Sequence, residues 1–328
     1  GYLENGLREC RRLADEAFKE NRIERAGGLF AFGTPRRLVL IGKAVAEKQD
    51  DLLQEITGPP VSVAYDDQGR PTKAAMGFAE KQELNIEDLE RIQTPKGEYL
   101  FARRRIPGQN TVDILEGLLP SLISRIPWPK SMRWGAVGYA FVRPVHWILA
   151  LFGGRPVSFE VAGIKSGAET RGHRFMAPAS MPVAGVEDYL EKTRQAYVLI
   201  DSKEREARVT QDAAEAAASV GGVPAEDPEL AATNANLTEY PSVICGGFDG
   251  AFLSLPDAVL ITAMKSHQKY FAVTGPDGAL LPHFVAVNNT LAKDPALVRR
   301  GHERVLRARL SDADFFFQED RKRPLADR

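Results

Sequence analysis

The sequence predicts an α+β protein in which mixed sheets pack against helices. The chain has 328 residues, about twice the length of a typical domain, so we expect two subdomains, residues 1–165 and 166–328. With 44% hydrophobic and 27% charged residues, the composition is that of an ordinary globular protein, not of a disordered one. Segments with the helical period and short β-branched runs follow one another in no regular alternation, which is typical of α+β layers.

The first half of the chain contains helices and one clear core strand. Apolar residues at helical spacing predict helices, and runs of β-branched and large apolar residues predict strands. In chain order we predict a helix from Leu3 that fades at Gly27-Gly28, a strand over residues 37–45 after the turn at Gly33-Thr34-Pro35, a loop that contains Gly58-Pro59-Pro60, a helix capped by Thr72 that runs to Lys81, and an amphipathic helix over residues 111–126.

The second half is predicted to mix short strands with longer helices. Proline and glycine dominate residues 127–138, which predicts a structured loop. We then expect strands at 141–152 and 156–161, a helix at 186–196, a strand at 197–201, helices at 203–220 and 228–237, a strand at 242–245, a helix at 257–270, strands at 271–274 and 283–288, and a last helix from 295 to about 310.

The sequence gives no indication of a metal site, a membrane-spanning helix, a signal peptide or a standard catalytic motif. Cys10 and Cys245 show neither C-x-x-C spacing nor a nearby His, so we expect no bound metal and a reducing, cytoplasmic setting. The longest apolar stretch is far shorter than the roughly 20 residues of a spanning helix, and residues 1–4 lead directly into a charged helical pattern without a signal peptide. The P-loop, the G-x-S-x-G elbow and the H-E-x-x-H pair do not occur, and we predict no catalytic residue.

Positive charge is concentrated in the middle of the chain. The net charge is only −1, but residues 125–175 contain eight Lys and Arg against two Glu, a net of +6, which leaves −7 for the remainder. The centre is therefore the predicted anion-facing surface.

Within that centre, two segments combine cations with aromatic residues or glycines. Lys130, Arg133 and Arg143 alternate with tryptophans. Cations can bind phosphates, and exposed rings can stack on unpaired bases, so this mixture suits nucleic acid. The alternative is that the rings form a small core. Further on, Arg171, His173 and Arg174 surround Gly172, where they are placed to converge on one phosphate; the alternative is a tight turn with solvated arginines.

Two further basic elements lie near the end. Lys265 and Lys269 close a predicted helix, where they face a phosphate or simply stabilise the helix dipole. Successive residues of a helix advance by about 100°, so on the last helix three arginines fall in one sector and three apolar residues on another side. The arginines are therefore expected to face solvent, a phosphate backbone or a partner subunit. The arginines are Arg300, Arg304 and Arg307, and the apolar residues are Leu297, Val298 and Val305.

A collinear series of motifs resembles the glycyl-tRNA synthetase β chain. The motifs cover nearly the whole chain, and their shared order makes the resemblance specific. They are Thr34-Pro35-Arg36-Arg37-Leu38, Gly58-Pro59-Pro60, GRPTKAAMGFA over residues 69–79, PKSMRWG over 129–135, Arg143-Pro144-Val145-His146-Trp147, Ser166-Gly167, Arg171-Gly172-His173-Arg174-Phe175, His267-Gln268-Lys269-Tyr270-Phe271 and Arg309-Leu310-Ser311-Asp312-Ala313. One departure is Gly301-His302-Glu303, where the family pattern is Gly-Asn-Glu.

The resemblance implies a role in a larger enzyme. In this family an α chain carries the class II site that activates glycine with ATP and Mg²⁺, the β chain contributes tRNA recognition, and the two form an α2β2 assembly. The resemblance further implies that this sequence is an N-terminal portion similar to the B3/B4 domain of the phenylalanyl-tRNA synthetase β chain. HD-like and anticodon-binding domains are expected outside it, and it is expected to need no cofactor and to be inactive alone.

Three functions follow as hypotheses. The chain binds tRNA, it hydrolyses mischarged tRNA as a B3/B4-type editing domain, or it is a scaffold that docks the α chain. For the first hypothesis the candidate tRNA-binding residues are Lys130, Arg133, Arg143, Arg171, His173, Arg174, Lys265, Lys269, Arg300, Arg304 and Arg307.

Overall fold

The computed structural model describes residues 2–135 and 138–322, which form two compact units. Within the described residues, the first unit comprises residues 2–14, 29–42 and 120–322, and the second comprises residues 15–28 and 43–119. The units are defined by contacts within the chain, and the division into domains at residue 165 stays a prediction.

Helices are distributed through both units. Their bounds are α1 (Tyr2–Glu20), α2 (Val61–Ala64), α3 (Lys73–Lys81), α4 (Thr111–Arg125), α5 (Val186–Gln195), α6 (Ser202–Ala218), α7 (Pro228–Leu237), α8 (Asp257–Thr262) and α9 (Pro295–Arg321). A turn of π-helix, Ala263–Gln268, continues α8.

The strands are mostly short and antiparallel. Their bounds are β1 (Leu29–Thr34), β2 (Arg37–Gly42), β3 (Leu52–Pro60), β4 (Glu90–Thr94), β5 (Gly97–Ile106), β6 (Met132–Arg133), β7 (Ala140–Phe141), β8 (Ile148–Leu149), β9 (Leu151–Phe152), β10 (Arg155–Pro156), β11 (Glu160–Val161), β12 (Ile164–Gly167), β13 (Glu169–Arg171), β14 (Ser180–Pro182), β15 (Val223–Pro224), β16 (Ser242–Gly247), β17 (Phe271–Thr274) and β18 (Leu280–Asn288). Helices together with small antiparallel sheets confirm the predicted α+β class, whereas the B3/B4 comparison stays a prediction.

A four-stranded sheet in the order β15-β17-β18-β16 is the core of the first unit. Because side chains alternate along a strand, Phe271 and Val285 pack in one cluster with helices α6 and α7, and Ala272 and Phe284 pack in another with α8 and α9. Both faces of the sheet are therefore buried between helices.

The second unit is built on a three-stranded antiparallel sheet, β3-β5-β4. Leu100 of the central strand is fully buried with Ala64 of α2 and Ala75 of α3. Helix α3 begins where the Thr72 side chain accepts a hydrogen bond from the amide of Ala74, so the predicted capped helix is confirmed.

Two sequence predictions about strands are wrong. The predicted loop at Gly58-Pro59-Pro60 is the end of strand β3, which lies at the edge of its sheet and is largely exposed, so it lacks an apolar pattern and tolerates proline. The predicted strand over residues 197–201 is absent from the described sheets. Its apolar residues are buried, but the amide of Leu199 donates to the carbonyl of Glu239 rather than to a strand ladder.

Other elements differ in length. The predicted strand over residues 141–152 is reduced to β7, β8 and β9, each of two residues. Helix α9 continues to Arg321, well beyond the predicted end, and it packs through Leu306 and Leu310. Leu297 and Val305, which the sequence analysis places on another side of this helix from its arginines, are exposed.

Candidate nucleic-acid interface

A buried ion pair lies at the base of the candidate site. Arg37 of strand β2 places its Nε 2.7 Å from Oε1 of Glu239, and Thr34 Oγ1 donates to the same oxygen at 2.7 Å. The other carboxylate oxygen, Oε2, is buried without a hydrogen-bond partner in the described part of the chain. A buried charge is tolerated only when it is paired and hydrogen-bonded in good geometry. The pair of Arg37 and Glu239 therefore requires the residues around it to be well ordered.

A second buried arginine supports the same region. Arg205 of helix α6 is fully buried and donates to the carbonyls of Ala235 at 2.8 Å, Leu199 at 2.5 Å and Gly33 at 2.9 Å. Burial lowers the pKa of Arg205 to about 10, which leaves it positively charged at neutral pH. Arg205 therefore joins helix α6 to strand β1, to the end of helix α7 just before Glu239, and to Leu199, whose amide donates to the Glu239 carbonyl.

The buried pair also holds the turn that follows strand β13. Arg37 Nη1 donates to the carbonyl of Arg171 at 2.7 Å, and Nη2 donates to that of Gly172 at 3.4 Å. Gly172 is required here because a Cβ at this position would lie 2.3 Å from the carbonyl oxygen of Ala177 and 2.7 Å from Cβ of Ala196.

His173 completes the turn from the inside. Its side chain is fully buried, and Nδ1 accepts hydrogen bonds from the amides of Phe175 and Met176, both at 3.3 Å. Nδ1 is thus the unprotonated nitrogen, and Nε2 carries the hydrogen without a partner in the described residues. His173 supports the turn, and a direct contact of this side chain with tRNA stays a prediction.

Arg36, Arg171 and Arg174 lie close enough for their charges to act on one another. Arg171 and Arg174 are exposed, and Arg36, which adjoins Arg37, is half-buried. The guanidinium groups of Arg37 and Arg171 lie 5.5 Å and 5.8 Å from the centroid of the Trp147 ring. Burial lowers the pKa of Arg36. The Glu239 carboxylate opposes this shift, and the charges of Arg37, Arg174 and Arg171 add to it. The described residues provide no carboxylate ion pair to Arg36, Arg171 or Arg174.

The aromatic loop around Trp128 is stabilised by contacts among its own rings. Trp128 and Phe141 meet edge to face with centroids 5.4 Å apart, and Trp134 meets Tyr139 at 6.0 Å. The rings therefore form a small cluster, and the cations of the loop lie on its surface. Lys130, Arg133 and Arg143 are exposed, and Arg133 donates to the carbonyl of Gly138.

Lys265 and Lys269 are occupied by contacts within the chain. Lys265 forms an ion pair with Asp227, whose side chain also caps helix α7, and this carboxylate raises the pKa of Lys265. Lys269 is in the left-handed conformation with φ of 60°, and its ammonium donates to the carbonyl of Ser266 at 3.0 Å. Both contacts favour the structural interpretation of this helix end.

The arginine stripe on helix α9 is exposed as expected. Arg300, Arg304 and Arg307 lie on the solvent side of the helix, whereas Leu306 and Leu310 are fully buried against the core of the first unit. The stripe is separate in sequence from the turn at residues 171–174, and both surfaces belong to the first unit.

Sequence reasoning did not identify the residues that position the site. Arg36, Arg37, Arg205 and Glu239 were not candidates, although Arg36 and Arg37 lie in one of the motifs of the resemblance. An Arg-Arg pair directly before an apolar strand run is the signal that was available, since an arginine next to a core strand requires a partner if it is buried.

The described residues contain neither a cluster suited to a metal ion nor a helix suited to a membrane. Within residues 2–135 and 138–322, no three His, Cys, Asp or Glu side chains are grouped so as to hold a metal ion. In the same residues, no helix has the length and apolar character needed to cross a membrane.

Comparison with known proteins places these features in a family. A family model described as the glycyl-tRNA synthetase beta subunit matches residues 1–328. The chain is 48% identical over 327 residues to the glycine-tRNA ligase beta subunit of Syntrophus aciditrophicus, with 100% of this chain and 47% of the relative covered. It is 46% identical to that of Desulfatibacillum aliphaticivorans and 43% identical to that of Desulforudis audaxviator, again with 100% and 47% covered. The chain thus spans about half the length of the curated relatives it matches.

Proposed function

The chain belongs to the glycyl-tRNA synthetase β-subunit family, and on that premise we propose that it provides a tRNA-binding surface to a glycine-tRNA ligase. The proposal assigns the activation of glycine with ATP and Mg²⁺ to a separate α chain in an α2β2 assembly. This chain binds RNA without a cofactor of its own.

The observation that carries the proposal is the arginine group of Arg36, Arg171 and Arg174. The buried pair of Arg37 and Glu239 orders the backbone from which the group projects. None of the three arginines forms an ion pair with a carboxylate among the described residues. Glu239 is close enough to act on Arg36, so Arg171 and Arg174 supply most of the positive charge for an external anion. Phosphates satisfy guanidinium groups well, and arginine contacts to phosphate supply much of the affinity of RNA-binding proteins.

Hydrolytic editing is less well supported at this turn. His173 is the histidine of this turn, but its Nδ1 accepts hydrogen bonds from two backbone amides and the ring is fully buried. A general base has to come within hydrogen-bond reach of the water that it activates, and burial works against that approach.

Binding of tRNA by the wild-type chain and by charge variants tests the proposal. Replacing Arg133, Arg171 and Arg174 together by Glu should weaken the affinity strongly and reduce its dependence on salt, because the slope of log K against log [salt] counts phosphate contacts. Arg155→Glu is the matched control, since Arg155 is an exposed arginine of the same basic segment outside the turn. Equal affinities for the wild type and the triple variant would refute the proposal.

Docking of the α chain is a second candidate function, favoured by one observation on helix α9. Leu297, Val305, Phe315 and Phe316 are large apolar side chains on this helix that are 43% to 64% exposed. Exposed apolar residues of this kind suit a protein partner. Capture of the α chain by this chain, and its loss in a Phe315→Ala and Phe316→Ala double variant, would support docking through α9.

A further inference from the structure

Phe175 is the most exposed large hydrophobic side chain among the described residues, with 71% of its surface accessible. The Arg174 guanidinium lies 5.5 Å from the centroid of this ring, over one face. The buried His173 ring lies 6.2 Å from it, centroid to centroid, and with 71% of the side chain accessible most of the Phe175 ring is open to solvent. An open aromatic face beside cations is the arrangement on which bases of unpaired nucleic acid stack.

The ring is carried by an ordered backbone. The amide of Phe175 itself donates to the buried Nδ1 of His173, and the carbonyl of Arg171 accepts from buried Arg37. Because the backbone is already ordered, less conformational entropy is lost when a ligand binds, which favours affinity. Phe175 is therefore an exposed side chain on a hydrogen-bonded turn, not part of a loosely held loop.

The turn also carries cations that suit the phosphates on either side of a base. Arg171 and Arg174 lie on either side of buried His173 in the chain, and the Arg171 guanidinium lies 5.8 Å from the centroid of the Trp147 ring. Arg36 adds a third cation beside Arg37, which bonds to this turn. Duplex RNA has its bases stacked inside, so a duplex would use the arginines and leave the ring without a partner.

We propose that the turn over residues 171–175 binds an unpaired nucleotide of RNA, with its base stacked on Phe175 and its flanking phosphates held by Arg171, Arg174 and Arg36. This proposal rests on the proposed tRNA-binding function and specifies the part of an RNA that the site takes. In a tRNA, the unpaired acceptor end and the loops offer such nucleotides.

The test compares a short unstructured oligoribonucleotide with a blunt-ended RNA duplex as probes of the whole 328-residue chain. Phe175→Ala should weaken binding of the unpaired probe by roughly 5- to 150-fold, the range expected for one lost base stack. Phe175→Tyr should retain the affinity, because it keeps the ring. Tyr2→Ala, which removes an exposed ring from helix α1, is the control and should leave this binding unchanged.

The arginines give a second readout. Arg174→Ala should reduce the salt slope for the unpaired probe by about 0.7, the contribution of one phosphate contact to a single strand. Competition separates a nucleotide from a bare anion: adenosine monophosphate should displace the probe more effectively than inorganic phosphate. Equal competition by the two would overturn the proposal, since it would show that the site recognises phosphate alone.

Failure of this proposal can be distinguished from failure of the proposed function. If neither tRNA nor the two probes bind the wild-type chain, the tRNA-binding function itself is refuted. If tRNA binding depends on the arginines while Phe175→Ala leaves the unpaired probe unaffected, the function stands and the nucleotide site is overturned. Weakened capture of the α chain by Phe175→Ala with unchanged RNA binding would likewise overturn it, in favour of a protein-docking ring.

Discussion

The Nε atom of Arg37 lies 2.7 Å from Oε1 of Glu239, although the two residues are 202 positions apart in the chain. The Arg37 side chain is 4% exposed and the Glu239 side chain is fully buried. Through its remaining nitrogens, Arg37 also holds the carbonyls of the turn that presents the exposed arginines. Stability and RNA binding are therefore expected to respond together when the pair is disturbed.

Glu239→Gln should destabilise the protein by about 3–5 kcal/mol, because it removes the negative charge that compensates buried Arg37. The free energy of unfolding in urea measures the effect. Glu204→Gln is the matched control: its partner Arg194 lies in an exposed ion pair, so the loss should stay below about 1 kcal/mol. Similar losses in the two variants would contradict a special role for the buried pair.

Gly172→Ala should lower the free energy of unfolding by about 1–3 kcal/mol and weaken RNA binding. The added Cβ would meet the carbonyl oxygen of Ala177 at 2.3 Å, so the turn has to shift and displace Arg171. Gly167→Ala in strand β12 is the control, since a Cβ there meets no atom within 4 Å. Urea unfolding and probe binding of both variants check the prediction, which fails if Gly172→Ala behaves like its control.

His302 should make the protein less stable in mild acid. Nδ1 of His302 lies 2.7 Å from the hydroxyl of Tyr270, Nε2 lies 2.9 Å from Oδ1 of Asn288, and burial lowers the pKa of His302 below its ordinary value of 6.5. A depressed pKa means that the unfolded chain binds the proton more readily. The stabilising contribution is therefore complete above pH 6.5 and is lost as the pH falls through the folded-state pKa.

The variant His302→Asn isolates this contribution, because asparagine does not titrate. Free energies of unfolding measured at neutral pH and near pH 5 should converge in the variant more than in the wild type. An unchanged difference between the two pH values would show that another group is responsible.

Lys265→Ala should leave tRNA affinity nearly unchanged, whereas Arg304→Ala should reduce it. The Lys265 ammonium is already paired with Asp227, so it has little charge to offer a phosphate. Arg304 is exposed on helix α9 among like charges. Titrations of both variants with tRNA at several salt concentrations test the ranking, and a larger loss for Lys265→Ala would reverse it.

Much of the local structure was predictable from the sequence. Helices α6 and α7 lie within about two residues of their predicted bounds, because their caps and apolar periods are local signals. Edge strand β3 was missed because most of its residues are exposed and carry no apolar alternation. The extended run at residues 198–200 was taken for a strand because a buried apolar segment looks the same with or without a ladder partner.

The candidate site shows the same division. The exposed arginines at positions 171 and 174 were predicted from their own neighbours in the chain, and so was the turn at Gly172. The burial of His173, by contrast, comes with the fold: its backbone amide donates to the carbonyl of Ala196, the residue that ends helix α5. The residues next to a cationic side chain in the sequence do not determine whether that side chain is buried or exposed.

The sequence by itself determined the family, through motifs in a fixed order, and the helices and basic segments, through spacing that acts over one or two turns. Only the tertiary structure decided that Arg37 meets Glu239, that His173 lies inside the turn, and that Phe175 stays exposed beside Arg174. The physical reason is range. Helix caps and apolar periods depend on residues a few positions apart, whereas a buried ion pair depends on two charges that only the completed fold brings together and removes from water.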